Sequence, residues 1–166
     1  MIFMIVKRPR RLDGVSYVGY HRYFLTICTD FRRRLFTDAA VASGVVDQLL
    51  RTAAFLDFAV LAYCVMPDHL HALVEAKSEQ SDLQPFMKRF KQITGFTYRQ
   101  DAKRRLWQPG YHERILRDDE ATETVVRYVL ENPIRAGLTS ALGDYPFAGS
   151  GVYDLEGLRT AWEWQT

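Results

Sequence analysis

Two rhythms divide the chain. Apolar residues alternate with a period of two in some stretches and recur every three to four residues in others. Residues 21–29 set Tyr23, Leu25 and Ile27 against Phe24, Thr26 and Cys28, which predicts a strand with apolar residues on both faces. Residues 58–66 are a continuous apolar run, the mark of a buried central strand. Pro67-Asp68 is a turn signal, and the next segment alternates again with Leu70, Ala72 and Val74 on one face, so a hairpin is expected. Helical spacing appears at Val41, Val45, Leu49 and Ala53, where Thr37 or Asp38 can cap the N-terminus. It returns over residues 81–100 with Leu83, Phe86, Met87, Phe90 and Ile93 as the stripe; Gly95 is its weak point. Residues 107–111 are turn-rich, and residues 113–117 predict a short strand. A last helix is expected from Asp118, as N-cap, through Val125, Val126 and Val129 to Asn132, where Pro133 should end it. The tail from Gly137, rich in glycine and aromatics, predicts only a packed extension.

The order strand, helix, strand, strand, helix, strand, helix predicts an α+β fold. Its first six elements match the ferredoxin-like split βαββαβ pattern, an antiparallel sheet with helices on one face. The extra helix must then find the other face or an edge. With 166 residues, one domain with a proper core is expected. It divides into a basic arm over 1–20, a core over 21–133 and an extension over 134–166.

Chemistry concentrates on the second half of the hairpin. His69 and His71 are two apart, so on a strand they point to the same face with backbones roughly 6.6 Å apart. They are equally a metal-binding pair or two core histidines satisfied by backbone hydrogen bonds. Tyr128 and Asn132 are four apart and share a helical face one turn from each other. Taken singly, Tyr128 reads as a core aromatic and Asn132 as a helix terminus before proline.

Charge adds a partner class. The net charge is only +2, but its distribution is uneven. Lys7, Arg8, Arg10, Arg11, Arg22, Arg32, Arg33 and Arg34 crowd the first 34 residues, and Lys88, Arg89, Lys91, Arg99, Lys103, Arg104 and Arg105 crowd residues 86–105. Acidic residues dominate from Asp118 onward. Two basic zones fit a polyanionic partner, or simply an unevenly charged solvated surface. Cys28 and Cys64 lie in apolar stretches and read as buried free thiols. No apolar run approaches a membrane span. Residues 1–6 are too short for a signal core and their charges follow them, so a cytoplasmic, nucleoid-associated protein without membrane partners is expected.

The four candidate residues gain force together. His69-Leu70-His71 has the His-hydrophobic-His form of the HUH nucleases, and Tyr128 and Asn132 follow as in their single-tyrosine transposases. The surrounding text resembles one branch, the REP-associated tyrosine transposases: Val65-Met66-Pro67-Asp68, Trp107-Gln108-Pro109-Gly110-Tyr111-His112, Leu116-Arg117-Asp118-Asp119-Glu120, and Arg127 through Pro133 to Ile134-Arg135-Ala136-Gly137-Leu138. The resemblance covers about residues 21–138. It implies that His69, His71 and Asn132 hold a divalent ion, Mg²⁺ or Mn²⁺, and that Tyr128 attacks a scissile DNA phosphate to leave a 5′-phosphotyrosine link. Many related transposases have glutamine where Asn132 stands, a longer reach. The implied substrate is single-stranded DNA folded as a palindromic hairpin preceded by a short recognition tetranucleotide, whose unpaired bases aromatic residues could stack. Arg8, Arg10 and Arg11 of the arm and Lys88, Lys91 and Arg99 of the second helix are the candidate phosphate contacts. His112 and Glu75 are the candidates for a general base. A monomer is expected, with a dimer as the alternative.

Two other classes remain open at this point. One is a hairpin-DNA-binding regulatory protein that does not cleave. The other is a hydrolytic metal phosphodiesterase in which water replaces Tyr128.

Overall fold

The computed structural model describes residue 14 and residues 16–117 and 120–163. Among the described residues, the strands are β1 (Arg22–Cys28), β2 (Phe58–Met66), β3 (His69–Ala76), β4 (His112–Ile115) and β5 (Ala148–Gly149). The helices are α1 (Ala39–Phe55), α2 (Leu83–Ala102), α3 (Thr122–Leu130), α4 (Asn132–Arg135) and α5 (Leu155–Glu163). The strands form one antiparallel sheet in the order β4-β1-β3-β2-β5. Fold class and element order through β4 are as expected.

Local chemistry explains the elements. Asp38 caps α1 by accepting from the N–H groups of Ala40 (2.9 Å) and Val41 (3.3 Å). Asp82 caps α2 through Gln84 N–H (2.8 Å), and Lys103 closes that helix in the left-handed conformation, donating its N–H to Arg99. Pro67 and Asp68 alone connect β2 to β3, and the resulting register pairs Met66 with His69 and Cys64 with His71.

Each face of the sheet has its own core. Tyr23, Leu25, Ile27, Leu70, Ala72 and Val74 pack under α1 and α2, together with Leu49, Phe86, Met87 and Phe90. On the other face, Ala62, Cys64, Met66 and Leu73 meet Val125, Val126, Val129 and Leu130 of α3 and Trp162 of α5. The extra helix therefore lies on the face opposite α1 and α2.

The structure departs from expectation in four places. First, α3 starts at Thr122 behind Ala121, which makes no side-chain cap; Asp118, the expected cap, lies outside the described residues. Second, Pro133 does not stop the helical path. α3 ends at Leu130, Glu131 keeps a near-helical backbone (φ −83°, ψ −5°), and Pro133 sits in the first turn of α4. A missing N–H costs nothing there, so proline can open a helix as readily as end one. Third, the tail from Gly137, expected only as a packed extension, contains β5 and α5. Fourth, the end of the expected arm is built in: Tyr17 is buried and its hydroxyl donates to Glu113 (2.6 Å), while Val18 bridges to Asp82. Arg8, Arg10 and Arg11 lie outside the described residues. No helix among the described residues is long and apolar enough to cross a membrane.

Candidate active site

Strand alternation on β3 sends Leu70, Ala72 and Val74 into the α1–α2 core and turns His69 and His71 to the α3 face. There the two imidazoles converge, with Nε2 atoms 3.1 Å apart and ring planes at 80°. Each ring is held from behind by its other nitrogen. His69 Nδ1 lies 2.6 Å from Asp68 Oδ1, and His71 Nδ1 lies 3.0 Å from the Thr26 hydroxyl, directly across the strand pair. A carboxylate only accepts, so His69 Nδ1 carries a proton. The Thr26 hydroxyl can accept from or donate to His71 Nδ1, and so serves either tautomer.

His71 is 9% exposed. Burial first, then the neighbouring His69 and the guanidiniums of Arg32 and Arg135, pull its pKa down to about 4, against a backbone contact at Leu25 that raises it. Such a ring is neutral near pH 7, the form that ligates a cation. Phe24 stacks on it at 5.4 Å between centroids.

α3 brings the tyrosine. Its buried stripe, Val125, Val126, Val129 and Leu130, docks on the sheet and leaves Tyr128 at the margin of the contact. The ring is 44% exposed, with its centroid 6.1 Å from that of His71 and 5.8 Å from Phe24. Arg135 lies with Cζ 4.4 Å from the Tyr128 ring centroid and donates to the Tyr128 carbonyl. Asn132 opens α4, half-buried, and its backbone carbonyl accepts from Ala136 N–H (3.0 Å). The structure thus sets His69, His71 and Tyr128 together, with Asn132 four residues beyond the tyrosine.

The donor set fits a divalent ion. Two nitrogens 3.1 Å apart have the spacing of neighbouring ligands on a six-coordinate ion with bonds of roughly 2.1 Å. A carboxylate behind a ligating histidine is a common support for such sites. Among the described residues no group of three His, Cys, Asp or Glu side chains could hold a metal. Cys64 stands opposite His71 in the sheet, but burial pushes its thiol up to about 12 and its Sγ rests 3.5 Å from Met66 Sδ.

Other candidates sit elsewhere. Lys88, Lys91 and Arg99 are on α2, across the sheet from Tyr128. Lys88 and Arg99 are exposed, whereas Lys91 Nζ braces the connection after α2 by donating to the carbonyls of Gln108 (2.9 Å) and Gly110 (2.5 Å). His112 pairs with Thr26 and lies in one row with His71, two strands over, roughly 10 Å away. Glu75 is four residues further along β3, roughly 13 Å from His71. Sequence reasoning missed Thr26, Asp68, Arg135 and Arg32. Arg32 Nε lies 3.0 Å from Asp68 Oδ2, and its Nη1 donates to Cys28 Sγ (2.8 Å). Two signals were available: a carboxylate adjoining His69, and an arginine seven residues, about two helical turns, after Tyr128.

Fold and site together define an α+β protein in which a helix-borne tyrosine faces a strand-borne histidine pair. The chain belongs to the IS200-like transposase family, whose model matches residues 17–132. It is 26% identical over 111 residues to a Haemophilus influenzae protein provisionally assigned as a REP-associated tyrosine transposase, covering 59% of this chain and 62% of that protein. It is 28% identical over 92 residues to the REP-associated tyrosine transposase of Escherichia coli K12, covering 55% of this chain and 53% of that one. The chain thus spans little more than half the length of these relatives. A solved REP-associated tyrosine transposase bound to a REP hairpin shares the fold, with a TM-score of 0.67 at 20% identity, covering 86% of this chain and 81% of that one. The expected family resemblance is borne out.

Proposed function

We propose that the chain cuts and rejoins single-stranded DNA at palindromic, REP-like hairpins through a 5′-phosphotyrosine link on Tyr128. The observation that carries this reading is the placement of Tyr128, 6.1 Å from His71 between ring centroids, where the Nε2 atoms of His69 and His71 come within 3.1 Å of each other. His69, His71 and Asn132 would hold Mg²⁺ or Mn²⁺. When bound, such an ion polarises a phosphate oxygen and offsets the charge that develops on it. The Tyr128 oxygen would bond to phosphorus as the bond to the 3′ oxygen breaks. The phenol gives up a proton and the departing 3′ oxygen gains one. The covalent link keeps the phosphoester bond for rejoining without ATP. Asp68 and Thr26 orient the imidazoles, and Arg135 steadies the tyrosine.

Family membership and the likeness to proteins named REP-associated transposases support the substrate class, as does the REP hairpin bound to the solved neighbour. Near the site, the side chains of Arg32, Arg114 and Arg135 are about half exposed. They are better placed for phosphates at the cut than Lys88, Lys91 and Arg99 across the sheet. The ring centroids of Tyr128 and His71 of one chain lie 6.1 Å apart, which supports action as a monomer.

Incubation with a single-stranded hairpin and Mn²⁺ should yield a covalent protein–DNA adduct that Tyr128→Phe abolishes. An adduct that persists in the variant overturns the nucleophile. Tight hairpin binding with no cleavage under any divalent ion would favour a non-cleaving regulator, and cleavage without an adduct a hydrolytic phosphodiesterase.

A further inference from the structure

An attacking hydroxyl has to be left free while the rest of its side chain is held. Among the described residues none hydrogen-bonds to the Tyr128 hydroxyl, and Tyr128 stands exposed at the margin of the α3 contact. Its orientation therefore falls to the groups against its ring. These are Arg135 (Cζ 4.4 Å from the centroid), Phe24 (5.8 Å between centroids, planes at 82°) and His71 (6.1 Å, 64°). The Arg135 side chain is about half in solvent, and His71 is tied through Nδ1 to Thr26. Phe24 is the remaining support, and the sheet fixes it.

Phe24 and Thr26 are two apart on β1, so they share the α3 face. Thr26 holds His71 by a hydrogen bond, and Phe24 holds it by a stack at 5.4 Å with planes at 21°. Phe24 is paired with Leu73 on one side and Arg114 on the other. Leu73 is fully buried. The Arg114 guanidinium lies 5.9 Å from the Phe24 centroid and is itself bonded to Glu120. One ring, bounded by sheet neighbours, thus touches both the ion-facing histidine and the tyrosine. Its edge-to-face meeting with Tyr128 is directional, because the positive rim of one ring seeks the negative face of the other. An aliphatic side chain would fill the space without setting the angle.

We propose that Phe24 is a positioning residue for the nucleophile, setting the direction from which Tyr128 approaches the histidine pair. This rests on the strand-cutting reading above and adds to it a residue that acts on rate and not on affinity. His71 keeps its Thr26 bond when Phe24 is replaced, whereas Tyr128 loses its one support from the body of the sheet.

Single-turnover adduct formation at saturating hairpin and Mn²⁺ reads the chemical step. Phe24→Leu should slow it roughly 10- to 100-fold, with hairpin and Mn²⁺ affinities unchanged. Phe24→Met, which fills the same space with a flexible chain, should behave alike, and Phe24→Tyr, which keeps the ring, should retain the parent rate. The parent rate in either aliphatic variant overturns the proposal. So does a matching loss of Mn²⁺ affinity, or a Phe24→Tyr as slow as Phe24→Leu. A second measurement needs no cleavage. Carbon-13 relaxation of the Tyr128 ring, its signal identified by loss in Tyr128→Phe, should report a more mobile ring in Phe24→Leu than in the parent; equal mobility overturns the proposal. Absence of any adduct in the parent would overturn strand cutting, while ring relaxation would still decide whether Phe24 places Tyr128.

Discussion

The two faces of one sheet are built to different ends, and β3 belongs to both. Under α1 and α2 its Leu70, Ala72 and Val74 are fully buried among other apolar side chains. On the α3 face the same strand is mixed: Leu73 is in a core, while His69 and His71 meet Thr26, Phe24 and Tyr128. One strand thus anchors the fold with its even-numbered residues and presents chemistry with its odd-numbered ones. Stability and site can therefore be perturbed separately.

The largest effect on folding should come from the closed face. Leu70→Ala is expected to cost about 2–5 kcal/mol, read as a lower midpoint in urea unfolding. An equal loss from Tyr128→Ala, whose ring is at the margin, would erase the contrast between the faces. The next effect is pH-dependent and belongs to the open face. His71 titrates near 4 in the folded chain against 6.5 ordinarily, so the unfolded chain takes up its proton first. Stability should be full above about pH 6.5 and fall as pH drops towards about 4, by up to about 3 kcal/mol. Denaturation of the metal-free protein across that range tests this, and His71→Gln should flatten the slope. Asp68→Asn should lower divalent-ion affinity roughly 10- to 100-fold with little change in the unfolding midpoint, measured by titration calorimetry. Unchanged affinity would remove Asp68 from the site's support. The smallest effect is Asp38→Ala, which removes the α1 cap on the closed side. It should cost about 1 kcal/mol and leave ion affinity untouched.

Much of this division could be read from the sequence, and the omissions share a cause. The bounds of β2, the Asp38 cap and the opposed faces of β3 are local patterns of period or capping, and each is found where expected. The spacing of Tyr128 and Asn132 survived even though the helix breaks between them, because Glu131 keeps the helical path. Pro133 misled because proline suits a helix's first turn as well as its end. β5 has two residues and no periodicity to detect. Thr26, Arg32 and Arg135 act through partners on other strands, turns or helices, and pair spacing along the chain carries no trace of such contacts.

The short β5 has a consequence for how copies of this chain meet. β2 is nine residues long and almost wholly apolar, and without a neighbour its outer side would be an open row of hydrogen-bonding groups ready to template another chain. β5 pairs with Tyr63 and Cys64, and its flanks extend the cover: Val65 N–H donates to Phe147, the Tyr145 hydroxyl to Val65, and Gly151 N–H to Val60. The fit is close, since a Cβ at Gly149 would lie 2.6 Å from the Tyr63 hydroxyl. The opposite border, β4, carries His112, Glu113 and Arg114, a short charged sequence unsuited to adding strands. Residues 145–151 thus work as a selvedge, finishing the one border along which the sheet would otherwise unravel into aggregates.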